Sequence, residues 1–272
     1  MNLNLLNRYL YHQRKTFEKC YPRIQDVTDD EAIHDIRVSI KKTRTLLLLL
    51  DYMYPDEWDI RTLYRPYRKI FKRLGLIRDL QVQHKLAAYL KLKTAVDIVG
   101  YQSFLKQQEK TIRFDVNAWL RHSSLPNWRS LEADLHSCYF RTGKKMIILK
   151  ANEYIACRIQ KAKKLTAQKD RTTIHLIRRL LKEARYMIDM MSSVLKDKTE
   201  YKELQTQIKP IENYLGEWHD RTVALDYIFQ YEQFMHTYFP GKIVRMKTVV
   251  KKIIQENNVL VNKALRAINR LK

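Results

Sequence analysis

Glycine, proline and cysteine are all scarce in this sequence. Its 272 residues include 5 glycines, 6 prolines and 3 cysteines. Sheets need many turn residues, so this scarcity favours an all-helical fold. The cysteines Cys20, Cys138 and Cys157 are odd in number and form no C-x-x-C pair, which argues against a disulfide framework or a zinc site. A reducing cytoplasm is the simplest compartment for such a chain.

Acidic residues and long apolar runs are also in short supply. The chain has 29 Asp and Glu against 52 Lys and Arg, a formal net charge of +23. A compact chain with this excess repels itself unless a polyanion or counterions gather on it. Phosphate polymers, nucleic acid and an anionic membrane surface are the candidate partners. The start lacks the apolar run of a signal peptide and no segment approaches a membrane span, so a soluble intracellular protein without membrane insertion is expected.

The motif H-x-x-R-x-x-x-K-x-x-R occurs twice, over residues 34–44 and 175–185. On a helix at about 100° per residue, its four defined positions fall within a sector of roughly 80°. Apolar residues such as Ile36, Ile40 and Leu47 lie on the opposite side of the helix. Each motif helix is therefore predicted to have a core face and a cationic row, formed by His34, Arg37, Lys41 and Arg44 in the first copy and His175, Arg178, Lys182 and Arg185 in the second.

The offset between the copies extends beyond this motif. It is 175 − 34 = 141 residues, and the same offset relates LGLIRD at 74–79 to LGEWHD at 215–220. A common register over two separated motifs indicates a tandem duplication of about 140 residues. The polar stretch before Pro126 is the best boundary, which predicts two helical repeats over residues 1–124 and 125–272.

These two motif pairs resemble the CHAD domain, and the resemblance covers nearly the whole chain. It implies two four-helix bundles related by pseudo-twofold symmetry, a central basic channel and the binding of inorganic polyphosphate. Two departures stand out: Glu183 replaces the Lys42 of the first copy, and His219 replaces its Arg78. Weaker anion binding by the second half is the expectation.

Helix signals divide the chain into eight segments. The first helix is predicted over about 2–20, and a capping box with Thr28 as N-cap and Glu31 reaching back opens the motif helix, which ends near 54. The third helix carries Pro66, which predicts a kink or a late start. The remaining ranges are about 56–90 for that third helix, then 94–121, 128–167, 171–195, 199–235 with Pro210 inside, and a last helix after Pro240.

Arginine and lysine in a row suit a ligand that repeats phosphate after phosphate. A planar guanidinium donates two parallel hydrogen bonds to phosphate oxygens, and an ammonium supplies a compact charge. No Asp or Glu lies between residues 36 and 50, so no carboxylate on the first motif helix neutralises its row. An ordinary solvated face with nothing bound is the alternative interpretation. Beyond the two rows, the predicted polyphosphate-binding residues include Lys69, Arg73, Arg78, Arg179 and His219.

The motif histidines have three interpretations: helix packing, donation to phosphate, or metal ligation. The His-Asp pairs at 34–35 and 219–220 have His175-Leu176 and Arg78-Asp79 as their duplicates. A metal shell would not exchange histidine for arginine, so no metal and no cofactor are expected. If the histidines donate as imidazolium, binding should strengthen as the pH falls through about 6.5.

The motif glycines and aspartates receive structural interpretations. Gly75 and Gly216 predict close helix crossings, because no glycine-rich cluster surrounds either of them. Asp79 and Asp220 are expected to orient basic side chains of the motif helices.

Three functions remain after these considerations. A polyphosphate receptor without catalysis is the main prediction, in the cytoplasm with polyphosphate granules as a candidate place of association. Nucleic acid binding would need exposed aromatics among the cations, and the motif helices offer mainly Tyr52 and Tyr186. A polyphosphate or triphosphate hydrolase would need clustered carboxylates for a divalent metal, and the basic faces carry none.

Overall fold

The structure is a computed structural model that describes residues 4–25, 27–55, 57–195, 199–241 and 246–271. Within these ranges it is helical and contains no strand, which confirms the all-α prediction. The start of the predicted first helix (residues 2 and 3), the break at Asp56 and the start of the last segment (242–245) lie outside the described residues. The helices are α1 Leu5–Cys20, α2 Asp30–Met53, α3 Ile60–Thr94, α4 Val99–Arg121, α5 Trp128–Lys164, α6 Arg171–Val194, α7 Thr199–Tyr238 and α8 Lys247–Asn269, with a 3-10 turn at Pro22–Ile24.

The two motif helices, α2 and α6, have the same length and the same start. Each has 24 residues, and their first residues are 171 − 30 = 141 positions apart. Asp29 caps α2 by accepting from the Ala32 N–H at 2.8 Å, and Asp170 caps α6 by accepting from the Thr173 N–H at 2.9 Å. The N-cap predicted at Thr28 was wrong by one residue, because the Asp29 carboxylate takes the backbone N–H. The capping residue is thus also duplicated.

Proline and glycine affect the long helices differently from the prediction. Pro66 and Pro210 both lie inside continuous helices, so neither delays the start of α3 or α7. Instead α5 is interrupted at Gly143, whose φ of 73° and ψ of 159° are not helical. Glycine reaches this region without the steric cost that a Cβ brings. The helix predicted over 128–167 is therefore two helical segments joined at Gly143.

Both repeats contribute to both apolar cores. The larger core joins α1, α2, α5 and α6 with one end of α3 and of α7. The smaller core joins the other ends of α3 and α7, for example Leu80 and Ile228, with the first halves of α4 and α8, for example Leu105 and Val249. Because apolar faces of the two repeats cover each other, the chain is one packed unit across residue 124.

Two helix contacts between the repeats position the site. Helix α2 packs against its counterpart α6, and α3 packs against its counterpart α7. The two cationic rows are thereby brought to one junction. In the described ranges, no helix is long and apolar enough to cross a membrane.

Candidate functional site

A cavity of about 450 Å³ lies between α2, α3 and α6. Both motif rows contribute to it, which places their cations around one space. The aromatic side chains Tyr64, Phe71 and Tyr186 form part of its wall. Among the described residues of the lining, Glu183 is the one acidic residue. The lining contains seven basic residues, namely Lys41, Arg44, Arg68, Lys72, Arg178, Arg179 and Lys182.

Two half-buried lysines, Lys41 and Lys182, are one from each motif. Burial, followed by the nearby cations Lys182, Arg37 and Arg178, lowers the pKa of Lys41 from 10.5 to about 7. Burial and Arg178 lower the pKa of Lys182 to about 8, although the Glu212 carboxylate acts in the opposite direction. Like charges held close together in a partly dry cavity disfavour protonation. An anion in this cavity would favour the protonated form of both amines.

Arg37 is half-buried and does not belong to the cavity lining. Its Nη1 donates to the Phe71 carbonyl at 2.6 Å, and its guanidinium lies 4.2 Å from the centre of the Phe71 ring. Gly75 makes room for this arrangement, because a Cβ there would lie 2.6 Å from Nη1 of Arg37. Gly75 thus lies where a side chain of the neighbouring helix α2 comes close, whereas the close helix crossing predicted at Gly216 was wrong. Gly216, its counterpart, has no atom within 4 Å of a Cβ position.

Arg178, the counterpart of Arg37, faces the cavity instead. Its Nε is buried and has no hydrogen-bond acceptor in the described part of the chain. Burial lowers the pKa of this guanidinium, while Asp220 and Glu212 act in the opposite direction. The offset of 141 places Glu212 where the first repeat has Phe71. The aromatic ring that covers Arg37 is therefore missing for Arg178, which leaves Arg178 able to donate to a ligand.

The fourth residues of the two motifs also differ. Arg185 forms ion pairs with Asp189 and Glu212 and does not belong to the cavity lining. Arg44 lines the cavity, and its Nη2 lies 3.1 Å from Oε1 of Glu183. Glu183 therefore neutralises an arginine of the first repeat, across the junction of the repeats.

The histidines lie outside the cavity lining, which was not expected for phosphate donors. His34 is exposed at the solvent side, whereas the His175 ring packs edge-on against Trp218 at 4.7 Å and against His219 at 5.3 Å. Burial, then Arg178, lowers the pKa of His219 to about 3. The pKa values of His34 and His175 are also lowered, first by burial and then by neighbouring arginines. Near neutral pH the His219 ring is thus uncharged, and the contacts of His175 and His219 are those of packing residues.

The basic residues predicted on the third helix occupy another face. Lys69 and Arg73 are exposed, and the Arg73 guanidinium lies 5.7 Å from the Trp119 ring centre. Arg68 and Lys72 line the cavity, and the sequence prediction omitted both. One residue along a helix is a rotation of about 100°, so neighbouring cations point to different sides. Tyr64, Arg68 and Lys72 follow one another at intervals of four residues, which places them on one face of α3. This spacing was the signal in the sequence that could have identified Arg68 and Lys72.

Arg78 and the motif aspartates complete the predicted set. Arg78 donates to Oε1 of Gln81 at 2.9 Å and lies outside the cavity lining. The Asp79 carboxylate favours the charged form of Arg37, and the Asp220 carboxylate favours that of Arg178. That these aspartates orient the basic side chains stays a prediction. In the described ranges, no three His, Cys, Asp or Glu side chains are grouped so that they could hold a metal ion.

The fold and the cavity define a class of protein: an all-helical domain, built by internal duplication, with cations of both repeats around one cavity. The family model of the CHAD domain matches residues 8–228 of this chain. The chain therefore belongs to the CHAD domain family.

Among solved structures, this chain is similar to the crystal structure of the CHAD domain from the plant Ricinus communis. The TM-score is 0.66 at 14% sequence identity, and the alignment covers 98% of this chain and 91% of the plant chain. At this identity the likeness shows the fold. Among curated proteins, no match was found.

Proposed function

We propose that the protein binds inorganic polyphosphate in the cavity between α2 and α6, without turning it over. One observation carries the proposal: seven basic residues from both repeats line one cavity that contains a single acidic residue, Glu183. Such an arrangement repels itself when it is empty. A ligand with one negative charge after another relieves that repulsion along its whole length.

The positions of the lysines and arginines in the cavity support the binding of a chain of phosphates. Exposed Arg68, Lys72 and Arg179 surround the half-buried lysines Lys41 and Lys182. The guanidinium groups of Arg68 and Arg179 suit bidentate contacts with phosphate oxygens, and the lysine ammonium groups supply charge to any phosphate orientation. A polymer that enters the cavity would contact both kinds of group in succession.

Nucleic acid is the alternative ligand, and the ring contacts favour polyphosphate over it. Single-stranded nucleic acid gains affinity by stacking its bases on exposed aromatic faces. Here the Phe71 ring is covered by Arg37 at 4.2 Å, and the Tyr186 ring by Arg185 at 4.3 Å. Each of these two rings thus has one face taken by a cation, which leaves less aromatic surface on which bases could stack.

Hydrolysis of the bound polymer would require carboxylates that are free to hold a divalent metal. The acidic groups nearest the cavity already serve cations, because Glu183 pairs with Arg44 and Glu212 pairs with Arg185. This supports a receptor rather than an enzyme. Phosphate release from polyphosphate should stay at the background rate with added Mg²⁺ or Mn²⁺. Turnover that one carboxylate substitution abolishes would contradict the proposal.

Competition between long-chain polyphosphate and DNA at equal phosphate concentration tests the choice of ligand. Polyphosphate should displace DNA, and DNA displacing polyphosphate would overturn the proposal. Arg178→Ala should weaken polyphosphate binding by about tenfold and lower the slope of log affinity against log salt by about one. Arg73→Ala is the matched control, because Arg73 contacts Trp119 outside the cavity. Equal effects of the two substitutions would remove the cavity from the proposal.

The proposal implies a cytoplasmic protein that associates with polyphosphate granules. A fluorescent fusion should concentrate on granules in cells that store polyphosphate. It should redistribute when Arg178 and Lys182 are both replaced by alanine.

A further inference from the structure

We propose that Lys41 is a site of covalent acylation by small acyl phosphates, which the cavity holds by their phosphate group. The inference rests on the proposed anion binding for delivery of the reagent. It adds a chemical step that polyphosphate binding does not require.

The surroundings of the Lys41 amine are those of a nucleophile. Its strongest electrostatic neighbours are the cations Lys182, Arg37, Arg178 and Arg185, and no carboxylate lies within salt-bridge distance of it in the described ranges. Asp79 is near enough to act on it electrostatically. With a pKa of about 7, the amine is largely unprotonated just above neutral pH. An unprotonated lysine in a partly dry site is a competent nucleophile.

The cavity also has groups that can hold the reagent without using this amine. Arg178 has a buried Nε without an acceptor among the residues that the structure describes, and Arg68 and Lys72 lie at the rim. These cations can take the phosphate group of an acyl phosphate, which leaves its carbonyl carbon within the cavity. The volume of about 450 Å³ admits a small acyl group beside the phosphate. Binding therefore raises the local concentration of the carbonyl at the amine.

The reaction is balanced without any other reactant. The lone pair of the Lys41 Nζ attacks the carbonyl carbon, and an N–C bond forms. The bond from that carbon to the bridging phosphate oxygen breaks, and inorganic phosphate leaves with the proton that the amine gives up. The product is a neutral amide, so the cavity loses one cation and should bind polyphosphate less tightly.

Lys182 provides an internal comparison. It lines the same cavity, but Glu212 and Asp220 act on it and favour its protonated form. We therefore expect Lys182 to react more slowly than Lys41. Two exposed lysines, Lys85 and Lys106, provide the baseline of an ordinary surface amine.

The experiment treats the full chain with acetyl phosphate at about pH 7.5 and follows each lysine by peptide mass spectrometry. Lys41 should be acetylated at least about tenfold faster than Lys85 and Lys106, because far more of its amine is unprotonated. Saturating long-chain polyphosphate should suppress the fast reaction. Acetylation of Lys41 at the rate of the exposed lysines, or a rate unchanged by polyphosphate, would overturn the inference.

Two further arms separate the possible failures. A neutral acetyl ester tests the nucleophile without phosphate delivery: if Lys41 is fast with the ester and slow with acetyl phosphate, the inference fails at the delivery step. Polyphosphate affinity measured on the same untreated sample then shows independently whether the proposed function stands. Treatment with acetyl phosphate should weaken the binding of polyphosphate by the wild type. The affinity of the Lys41→Arg variant should be the same before and after treatment. An equal loss in the variant would place the effect on another lysine and overturn the inference.

Discussion

Replacing Lys41 by methionine should stabilise the folded protein and weaken polyphosphate binding at the same time. Methionine keeps the length and most of the volume of the lysine stem, so packing against the Phe71 ring is largely retained. It removes a charge that the fold holds among Lys182, Arg37 and Arg178. Stability and function thus respond in opposite directions to one substitution.

The magnitude follows from the pKa. A fall from 10.5 to about 7 corresponds to at most about 5 kcal/mol, since each pH unit is worth about 1.4 kcal/mol. The side chain keeps some contact with water, which reduces the repulsion, so we expect a gain of about 2 kcal/mol in the free energy of unfolding at pH 7. The unfolded chain holds its proton up to about pH 10.5, and the folded chain loses it near pH 7. The gain should therefore be full below about pH 7 and shrink as the pH rises toward 10.5.

Thermal and urea unfolding at several pH values measure the gain, which corresponds to a rise in Tm of roughly 4–8 °C for a chain of this size. Titration with long-chain polyphosphate measures the loss, expected at about tenfold for one phosphate-contacting cation. Lys69→Met is the matched control, because Lys69 is exposed on another face of α3. It should change neither quantity appreciably. A lower Tm for Lys41→Met, or an affinity equal to that of wild type, would refute the reasoning.

Three other predictions concern the glycines, the acidic residue of the cavity and the pH dependence of binding. Gly75→Ala should lower the free energy of unfolding by about 1–2 kcal/mol, because the added Cβ would displace Arg37, whereas Gly216→Ala should raise it by up to about 1 kcal/mol through helix propensity. Denaturant titrations measure the stability of both variants, and a loss of stability at both positions would contradict this account. Glu183→Gln should strengthen polyphosphate binding about three- to tenfold, because it frees Arg44 from its ion pair, and it should lower the stability of the fold. A lower affinity of this variant for polyphosphate would contradict the prediction. The affinity of the wild type for polyphosphate should decrease at least about tenfold from about pH 7 to about pH 9 at constant ionic strength. Over this range Lys41 and Lys182 lose their protons in the free protein, whereas a bound anion would keep both amines protonated. An affinity that does not change with pH would show that these amines do not contact the ligand.

The last prediction replaces the pH dependence expected from the histidines. Their unperturbed pKa near 6.5 suggested that acid would strengthen binding. In the structure, burial lowers the pKa of His34 and His175 from its ordinary value and lowers that of His219 to about 3, which shifts protonation of these rings to more acidic pH. A side chain's pKa depends on the charges and the water that the tertiary fold places around it, and the sequence motif contains neither.

Roles of equivalent residues were the least predictable part of the site. Arg37 and Arg178 occupy the same motif position, but only Arg178 lines the cavity. The difference comes from their neighbours on α3 and α7, where Phe71 covers one arginine and Glu212 stands at the duplicate position. Side chains more than thirty residues away along the chain thus decide what each motif arginine can contact.

The all-helical class, the duplication with its offset of 141 residues and the cationic faces of α2 and α6 were all readable from the sequence, because helical periodicity and repetition are local properties of a chain. Tertiary structure alone decided that these faces meet at one cavity and that Arg68 and Lys72 join them. It also placed Arg185 between Asp189 and Glu212. Packing between helices fixes the rotation of each helix about its axis, and a rotation of one residue moves a charge from the cavity to the solvent.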